Sequence, residues 1–529
     1  MKAMISVLCI LFAHYIVYSQ PESQVALMNM DGSRALLNGQ ATPSHLILGW
    51  YFLGDEDAMK RIAQSSPGTQ GVAEVYRAFA ESNWDGIIAL SSKNIQSPID
   101  WLAWAIAVNK SSEKNKAELL QAQLNGDHMK TPALKLELGK ALSSERRYDE
   151  AVLIFEELNK SDKPYIRIAS LQHMGRLLLG QRKYDKAEIP ISQALGASKD
   201  IHYQHGVAYS LYLKSALEAR RENFPEVKKL SLEGAQIARA INSYSIEYEH
   251  NKLISWANFM NGESLHASLE HQMRQVEVVE WLADKDKMAQ VYNNLGYDLT
   301  VSGLTSLDSA IKLMTLANYH YADVEQNNGR WYTLMNLTWQ HRLKGDFSAS
   351  LAYGKQALAH AQQIADRHAI VETALQTGET LLAMGLLQEA EKYFTIGKEA
   401  RGDTDDRDSH VFDIYYAHLL WEKGLHEQAI SVLEKAVDYL GKSEVFYEMH
   451  GRALLALYMQ ELGYAEKARE QIQMMKHPRS DYIAFESRML MATVEAALLR
   501  GEGKKNMAEA LTANYYLRAL KIGMKTGGN

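Results

Sequence analysis

The residue groups in this chain that could support chemistry are few, and each has a plainer structural explanation. The segment 501–505 has the glycine and lysine of a phosphate-binding loop, but it follows a helix-forming stretch instead of a strand and lacks the spacing of such a loop. We therefore expect a turn between helices there. His266 and His271 are five residues apart, which places them on different faces of a helix, so joint metal ligation is not expected.

Acidic residues and cysteine provide the remaining candidates for metal binding or catalysis. The stretch 403–408 carries alternating Asp residues, as calcium-binding loops do, but the central glycine and the distal glutamate are missing and Arg407 interrupts the acids. A solvated loop between helices is favoured. The one cysteine, Cys9, lies in the apolar N-terminus, and the sequence has neither a His-Glu-x-x-His pair nor a serine elbow. We predict no catalytic residue, no metal site and no cofactor, and a protein that is not an enzyme.

Charge and composition restrict the partners. The 529 residues include 57 Lys and Arg against 64 Asp and Glu, a net charge of −7, without a long basic run. Such an average field repels phosphate backbones, so nucleic acid is not an expected partner. Only nine prolines occur, and helix-forming Ala, Leu, Glu, Lys and Gln are abundant.

The N-terminus has the pattern of an export signal. Lys2 precedes a mainly apolar stretch at 3–17, and Gln20 follows as the expected new N-terminus. A buried first helix is the alternative. The apolar stretch is too short to span a bilayer comfortably. We predict a signal peptide at 1–19, a periplasmic or secreted protein, and no stable membrane insertion.

One spacing recurs along most of the chain. The glycines Gly345, Gly385, Gly424 and Gly463 are 40, 39 and 39 residues apart. A small residue lies seven positions before each of these and before each equivalent turn: Gly139, Gly175, Ser215, Ser255, Gly296, Thr338, Gly378, Ala417, Ala456 and Ala496. A fixed period of this length indicates a repeat architecture.

Each unit is predicted to be two amphipathic helices joined by a tight turn. The turn glycine permits a backbone conformation closed to most residues. The small residue lets the two helices cross closely, and large residues such as Phe155, Phe394 and Leu433 fill the space to the next pair. Because no pair buries its own apolar face, neighbours must stack. The predicted fold is all-α, a right-handed α-solenoid (superhelix) of stacked antiparallel helix pairs. Pro190 falls inside a second helix, where we expect a kink or a shortened helix.

Five residues of one unit match the tetratricopeptide pattern: Leu138, Gly139, Tyr148, Ala151 and Phe155. The chain resembles tetratricopeptide repeat proteins over 131–522, in about ten repeats. Its period near 40 instead of 34 is similar to the long-period branch typified by kinesin light chains. With the export signal, the resemblance implies a bacterial extracytoplasmic protein. Residues 20–130 are assigned to degenerate helical hairpins that cap the array, and 523–529 to a flexible tail.

In the resembled family the first helices line a concave groove that holds the partner. Transferred position by position, this implies a binding set from four repeats: Asn293, Asn294, Tyr297, Tyr332, Met335, Asn336, Trp339, Arg342, Gln376, Glu379, His418 and Trp421.

Three amides of this set share one repeat position, namely Asn294, Asn336 and Gln376. We expect them to form an amide ladder that grips an extended peptide backbone. The aromatic residues would act as anchors, and Arg342 would bind a carboxylate. The alternative is that the aromatics pack against the adjacent repeat and the amides bond neighbouring helices.

The sequence thus predicts a non-catalytic scaffold of the bacterial envelope that binds a protein or a peptide. The alternative is an extracytoplasmic sensor module that acts through a separate membrane partner, and an enzyme built on a helical repeat is a distant third. The identity of the partner, the pathway and the oligomeric state are left open by the sequence.

Overall fold

The computed structural model describes residues 84–88, 98–111, 113–124, 131–260, 263, 265–282, 284–322, 329–441, 445–476 and 483–525. These residues form helices and short connections, with no strand among them. The predicted signal peptide at 1–19 and much of the predicted cap at 20–130 lie outside the described residues. No helix within the described ranges is long and apolar enough to cross a membrane.

The described residues form 23 helices. In chain order they are α1 Trp84–Ile88, α2 Pro98–Lys110, α3 Lys116–Leu124, α4 Pro132–Ser144, α5 Tyr148–Leu158, α6 Pro164–Gly180, α7 Tyr184–Asp200, α8 Gln204–Arg220, α9 Phe224–Ala240, α10 Tyr244–Met260, α11 Leu265–Leu282, α12 Lys285–Ser302, α13 Leu307–Ala322, α14 Arg330–Lys344, α15 Phe347–Gln363, α16 Arg367–Ala383, α17 Leu387–Arg401, α18 Arg407–Glu422, α19 His426–Leu440, α20 Val445–Glu461, α21 Ala465–Met474, α22 Phe485–Gly501 and α23 Lys505–Ile522.

The helices pack in consecutive pairs from α4 to α9 and from α12 to α23, and the predicted all-α solenoid of stacked antiparallel helix pairs is confirmed. The chain divides into two compact units. The N-terminal unit contains the described residues up to 260 together with 277–282, and the C-terminal unit contains residues 263 and 265–276 and the described residues from 284 onward. Within the C-terminal unit the first helices of successive pairs, α14, α16, α18 and α20, also contact one another. They therefore form the inner layer of the stack.

The turn inside each pair uses a left-handed residue. In the C-terminal unit Gly345, Gly385, Gly424 and Gly463 have φ between +74° and +81°. The amide of Leu386, one residue beyond such a glycine, donates to the carbonyl of Leu381 at 2.9 Å and closes the end of α16.

Earlier turns adopt the same conformation without glycine. Arg146, Arg182 and Glu222 have φ of +63°, +58° and +58°. Because a side chain is strained in this region, these turns are held by the packing of the helices on either side.

Small residues on the first helices permit the close crossing. A Cβ added to Gly378 would lie 2.8 Å from the ring of Phe394, and one added to Gly139 would lie 2.6 Å from the ring of Phe155. Both rings are fully buried. Pro190 lies inside α7, which runs its full 17 residues, so the helix is not shortened.

The last helix pair of the C-terminal unit packs on the unit's earlier helices. Arg488 of α22 donates to the carbonyls of Val301 and Ser302 at the end of α12, at 3.1 and 2.6 Å. The ring of Phe485 would lie 2.8 Å from a Cβ added to Gly303. This contact covers part of the inner face formed by α12 and α14.

The segment after α23, which the sequence assigned to a flexible tail, begins with residues that are held in place. The amide of Lys525 donates to the carbonyl of Leu343 at 2.8 Å, and Met524 packs against a cluster that includes Val301 and Trp339. Residues 526–529 lie outside the described residues.

Two glycines at the end of α22 allow a test of the left-handed conformation in the turns of the helix pairs. Gly503 has φ of +76° and open space around the position of an added Cβ. We expect Gly503→Ala to lower the free energy of unfolding by about 1 kcal/mol, since backbone strain is its only effect. Gly501 is the last residue of α22, and the space around an added Cβ is equally open. Gly501→Ala should therefore raise the free energy of unfolding by about 0.5 kcal/mol. Urea unfolding followed by circular dichroism measures both, and effects of the same sign would contradict the left-handed turn.

Candidate functional site

A small cavity lies on the inner face of the C-terminal unit. Its volume is about 40 Å³, which is room for about three water-sized groups. Six of its lining residues belong to the predicted binding set: Tyr297, Tyr332, Met335, Asn336, Trp339 and Gln376. The other six were not predicted: Tyr415, Phe446, Tyr447, His450, Ala484 and Glu486. The first helices of five successive pairs and the start of α22 therefore converge on one point.

Aromatic rings form most of the cavity wall. The ring of Tyr297 lies 5.9 Å from that of Trp339, 6.0 Å from that of Phe446 and 6.4 Å from that of Tyr332, between centroids. Trp339 is buried, whereas the other three are half-buried. The rings therefore pack against one another and also present surface to the cavity.

The carboxylate partner predicted for Arg342 is supplied by the chain itself. Arg342 donates from Nη1 to Oε1 of Glu486 at 2.9 Å, and Nε1 of Trp339 donates to Oε2 of the same carboxylate at 3.1 Å. Burial opposes ionisation of Glu486, but Arg342 and His450 outweigh it and lower its pKa to about 2. Arg342 is thus engaged internally instead of being presented to a partner.

A second ion pair lies beside the first. Nδ1 of His418 is 3.1 Å from both carboxylate oxygens of Glu379. Burial alone would lower the pKa of His418, but Glu379 outweighs it and the pKa is raised. Burial would raise the pKa of Glu379, but His418 and Arg342 lower it. These predicted residues form a charge network and do not line the cavity.

The predicted amides are not arranged as one continuous ladder. Asn336 donates to Oδ1 of Asn293 at 3.3 Å, and Gln376 donates from Nε2 to the hydroxyl of Tyr415 at 3.2 Å. Asn336 and Gln376 are buried at the cavity, whereas Asn294 is exposed and does not line it. Oε1 of Gln376 is buried and lacks a hydrogen-bond partner among the described residues. An extended peptide cannot reach these amides while the helices stay packed.

Trp421 packs away from the cavity. Its ring stacks on Tyr458 at 3.9 Å with an interplanar angle of 4°, and on His426 at 4.2 Å. Tyr458 belongs to the next repeat, so Trp421 serves as a contact between adjacent pairs. Trp421 therefore has the alternative role considered in the sequence analysis, which is packing against the neighbouring repeat.

The acidic stretch at 403–408 connects α17 to α18 through residues 403–406, and its last two residues begin α18. Asp406 caps this helix by accepting from the amide of Ser409 at 3.1 Å and pairs with Arg367 at 2.5 Å. Within the described ranges, no group of His, Cys, Asp and Glu side chains has the arrangement of a metal site.

The unpredicted lining residues come from later repeats. Glu486 is 147 residues from Trp339 in sequence. A carboxylate in the first turn of a helix is ordinary in any sequence, because it complements the helix dipole. The sequence therefore carried no signal for its role, which depends on the packing of α22 against α14.

No family model matches the chain, and no curated protein sequence matches it. Solved structures of other proteins are similar at low identity. A Rap protein complexed with competence and sporulation factor has 14% identity and a TM-score of 0.46, over 67% of this chain and 97% of that chain. The apo form of RapI has 10% identity and a TM-score of 0.47, over 68% and 99%. The apo quorum sensor NprR from B. thuringiensis has 15% identity and a TM-score of 0.46, over 64% and 96%. At this level of similarity, the fold assignment rests on the helix pairs described above.

The pair of Glu486 with Arg342 gives a test of how the last helix pair is held. Glu486→Gln keeps the shape of the side chain but leaves the guanidinium of Arg342 buried without its carboxylate, and we expect a loss of about 3 kcal/mol in the free energy of unfolding. Hydrogen exchange in α22 should accelerate as well. Glu502→Gln, in the exposed turn after α22, is the control and should leave both unchanged. An equally small effect of the two substitutions would show that the buried pair does not hold α22.

The pKa values of His418 and His450 should be shifted in opposite directions from the ordinary value of a histidine. His418 has a carboxylate partner and a raised pKa, whereas His450 bonds the neutral hydroxyl of Ser487 and burial lowers its pKa. Because the pKa of His418 is raised on folding, its contribution to stability is complete below about pH 6.5 and is lost as the pH rises through the folded value. NMR titration of labelled histidines, assigned with His418→Gln and His450→Gln, measures both. A pKa of His418 that is lower than the pKa of His450 would contradict this charge network.

Proposed function

We propose that this protein is a non-catalytic scaffold that binds a protein or a peptide on the inner face of its C-terminal unit. The observation that carries this proposal is the cavity at which the first helices of successive repeats converge. Its wall is aromatic, and buried aromatic pockets are where binding energy is concentrated in protein interfaces.

The mode of binding in this proposal differs from a peptide laid along an open amide ladder. Asn336, Trp339 and Gln376 are buried, so the partner contributes a side chain to the cavity instead of a backbone to the groove. Tyr332, Phe446 and other half-buried rings would meet the rest of the partner.

The proposed location is extracytoplasmic, in the periplasm or outside the cell, on the basis of the N-terminal sequence alone. Fractionation of cells that express the full chain with a C-terminal tag tests this location. Removal of about 19 residues and recovery outside the cytoplasm are the expected results. An unprocessed chain in the cytoplasmic fraction would refute it.

Photocrosslinking provides the test of partner binding. A benzophenone amino acid replaces Tyr332 at the cavity or, as the matched control, Tyr319, which is 64% exposed on the second helix α13. We expect a crosslinked partner from the Tyr332 position and none from the Tyr319 position, after irradiation of producing cells and mass spectrometry. Identical products from both positions, or none from either, would contradict binding at this face. A membrane signalling protein as the partner would favour the alternative of a sensor module.

A further inference from the structure

The cavity on the inner face has no uncompensated charge among the described residues that line it. The carboxylate of its wall, Glu486, is paired with Arg342 at 2.9 Å and accepts from Trp339 at 3.1 Å. Burial keeps His450, another lining residue, neutral by lowering its pKa, and its Nδ1 lies 3.0 Å from the hydroxyl of Ser487. A charged group that entered the cavity would therefore lose its hydration without gaining a counter-charge.

Three neutral polar side chains of the wall are engaged within the protein. Asn336 donates to Asn293 at 3.3 Å. Gln376 donates to the hydroxyl of Tyr415 at 3.2 Å, and its Oε1 is buried beyond the reach of a ligand. The hydroxyl of Tyr447 donates to a carboxylate of α16 at 2.9 Å. A polar ligand would have to replace hydrogen bonds that the protein already makes.

The apolar part of the wall consists of aromatic rings together with Met335 and Ala484. The rings of Tyr297 and Phe446 lie 6.0 Å apart, and both residues are half-buried, as is Tyr332. The cavity is thus bordered by side chains that are accessible from outside. Contact between aliphatic carbons and ring faces, with removal of both from water, is the interaction that such a wall favours.

The volume of the cavity limits the size of the group that fits. About 40 Å³ is room for about three water-sized groups, which matches the isopropyl end of a leucine or valine side chain. An aromatic ring exceeds this space. A single methyl group would leave most of the wall without contacts and would forfeit their dispersion energy.

We propose that the cavity binds the branched, uncharged end of an aliphatic side chain, such as that of leucine or valine. Its methyl groups lie against the rings of Tyr297, Tyr332 and Phe446, and the hydrogen bonds and the ion pair of the wall stay intact. Lysine and glutamate side chains are excluded by their charge, and aromatic side chains by their size.

This inference deepens the proposed function and rests on it for the source of the side chain, since a bound protein or peptide would supply it. A free branched aliphatic molecule presents the same chemistry, so the cavity is testable without a known partner. The experiments below separate the two sources.

N-acetyl amino acid amides test the cavity directly, because they share one uncharged backbone and differ only in the side chain. Saturation-transfer NMR on the full chain gives dissociation constants for the leucine, alanine, lysine, glutamate and phenylalanine amides. We expect the leucine amide to bind at least tenfold more tightly than each of the others. Binding of any other of these amides as tight as that of the leucine amide, or no binding of the leucine amide, would overturn the proposal.

Two substitutions change the space in opposite directions. Ala484→Leu fills the cavity and should weaken binding of the leucine amide at least tenfold. The control is Ala513→Leu, the same change at an exposed position of α23, which should leave the affinity unchanged. Phe446→Ala removes a ring of the wall and should tighten binding of the phenylalanine amide at least tenfold.

Circular dichroism and thermal unfolding establish that each variant is folded. Should Ala484→Leu be unfolded, the gain of phenylalanine binding in Phe446→Ala decides, and in the opposite case the loss of leucine binding in Ala484→Leu decides. Unchanged affinity in either folded variant would overturn the proposal.

Photocrosslinking from the Tyr332 position separates this inference from the proposed function. Loss of the crosslinked partner in folded Ala484→Leu, together with binding of the leucine amide to the unaltered chain, supports both. A partner that is still crosslinked in Ala484→Leu, with no binding of the leucine amide, would leave the scaffold in place and overturn the aliphatic site. Binding of the leucine amide without any crosslinked partner would overturn the scaffold and support a site for a free aliphatic molecule.

Discussion

The close contact between a small residue on one helix and a large residue on the next determines the geometry on which the rest of this structure depends. Gly378 leaves no space for a Cβ beneath the ring of Phe394, and Gly139 leaves none beneath Phe155. Because each pair crosses at such a contact, its second helix stays on the outside and its first helix faces inward. The inner layer of the C-terminal unit then consists of first helices, and their side chains converge.

The convergence of the first helices has an electrostatic consequence in the C-terminal unit. The last helix pair packs on α12 and α14, so Arg342 and Glu486 are brought together with little solvent. Charges buried in this way are stable only when they are paired and hydrogen-bonded. Trp339 completes the pairing by donating to the same carboxylate. The network therefore serves the packing of the stack.

The aromatic residues of the inner face have two roles because they lie where the helices meet. Tyr297 contacts rings from α14 and α20 and also lines the cavity. Trp421, on the first helix three pairs further along, stacks on Tyr458 and His426. The difference lies in their neighbours: Tyr458 covers the face of Trp421, whereas Tyr297 lines the cavity.

The sequence by itself determined the helices, their pairing and the turn positions, since these depend on local spacing: a small residue, then a turn seven residues later, at a period near 40. It also indicated that Tyr297, Tyr332, Asn336, Trp339 and Gln376 face inward, because repeat position sets the face of a helix. Only the tertiary structure decided that Glu486 forms an ion pair with Arg342 and that Asn294 is separated from Asn336 and Gln376. It also decided that a cavity lies between the first helices. Those outcomes depend on contacts between residues more than a hundred positions apart, or on how neighbouring first helices cover one another, and no local spacing encodes either.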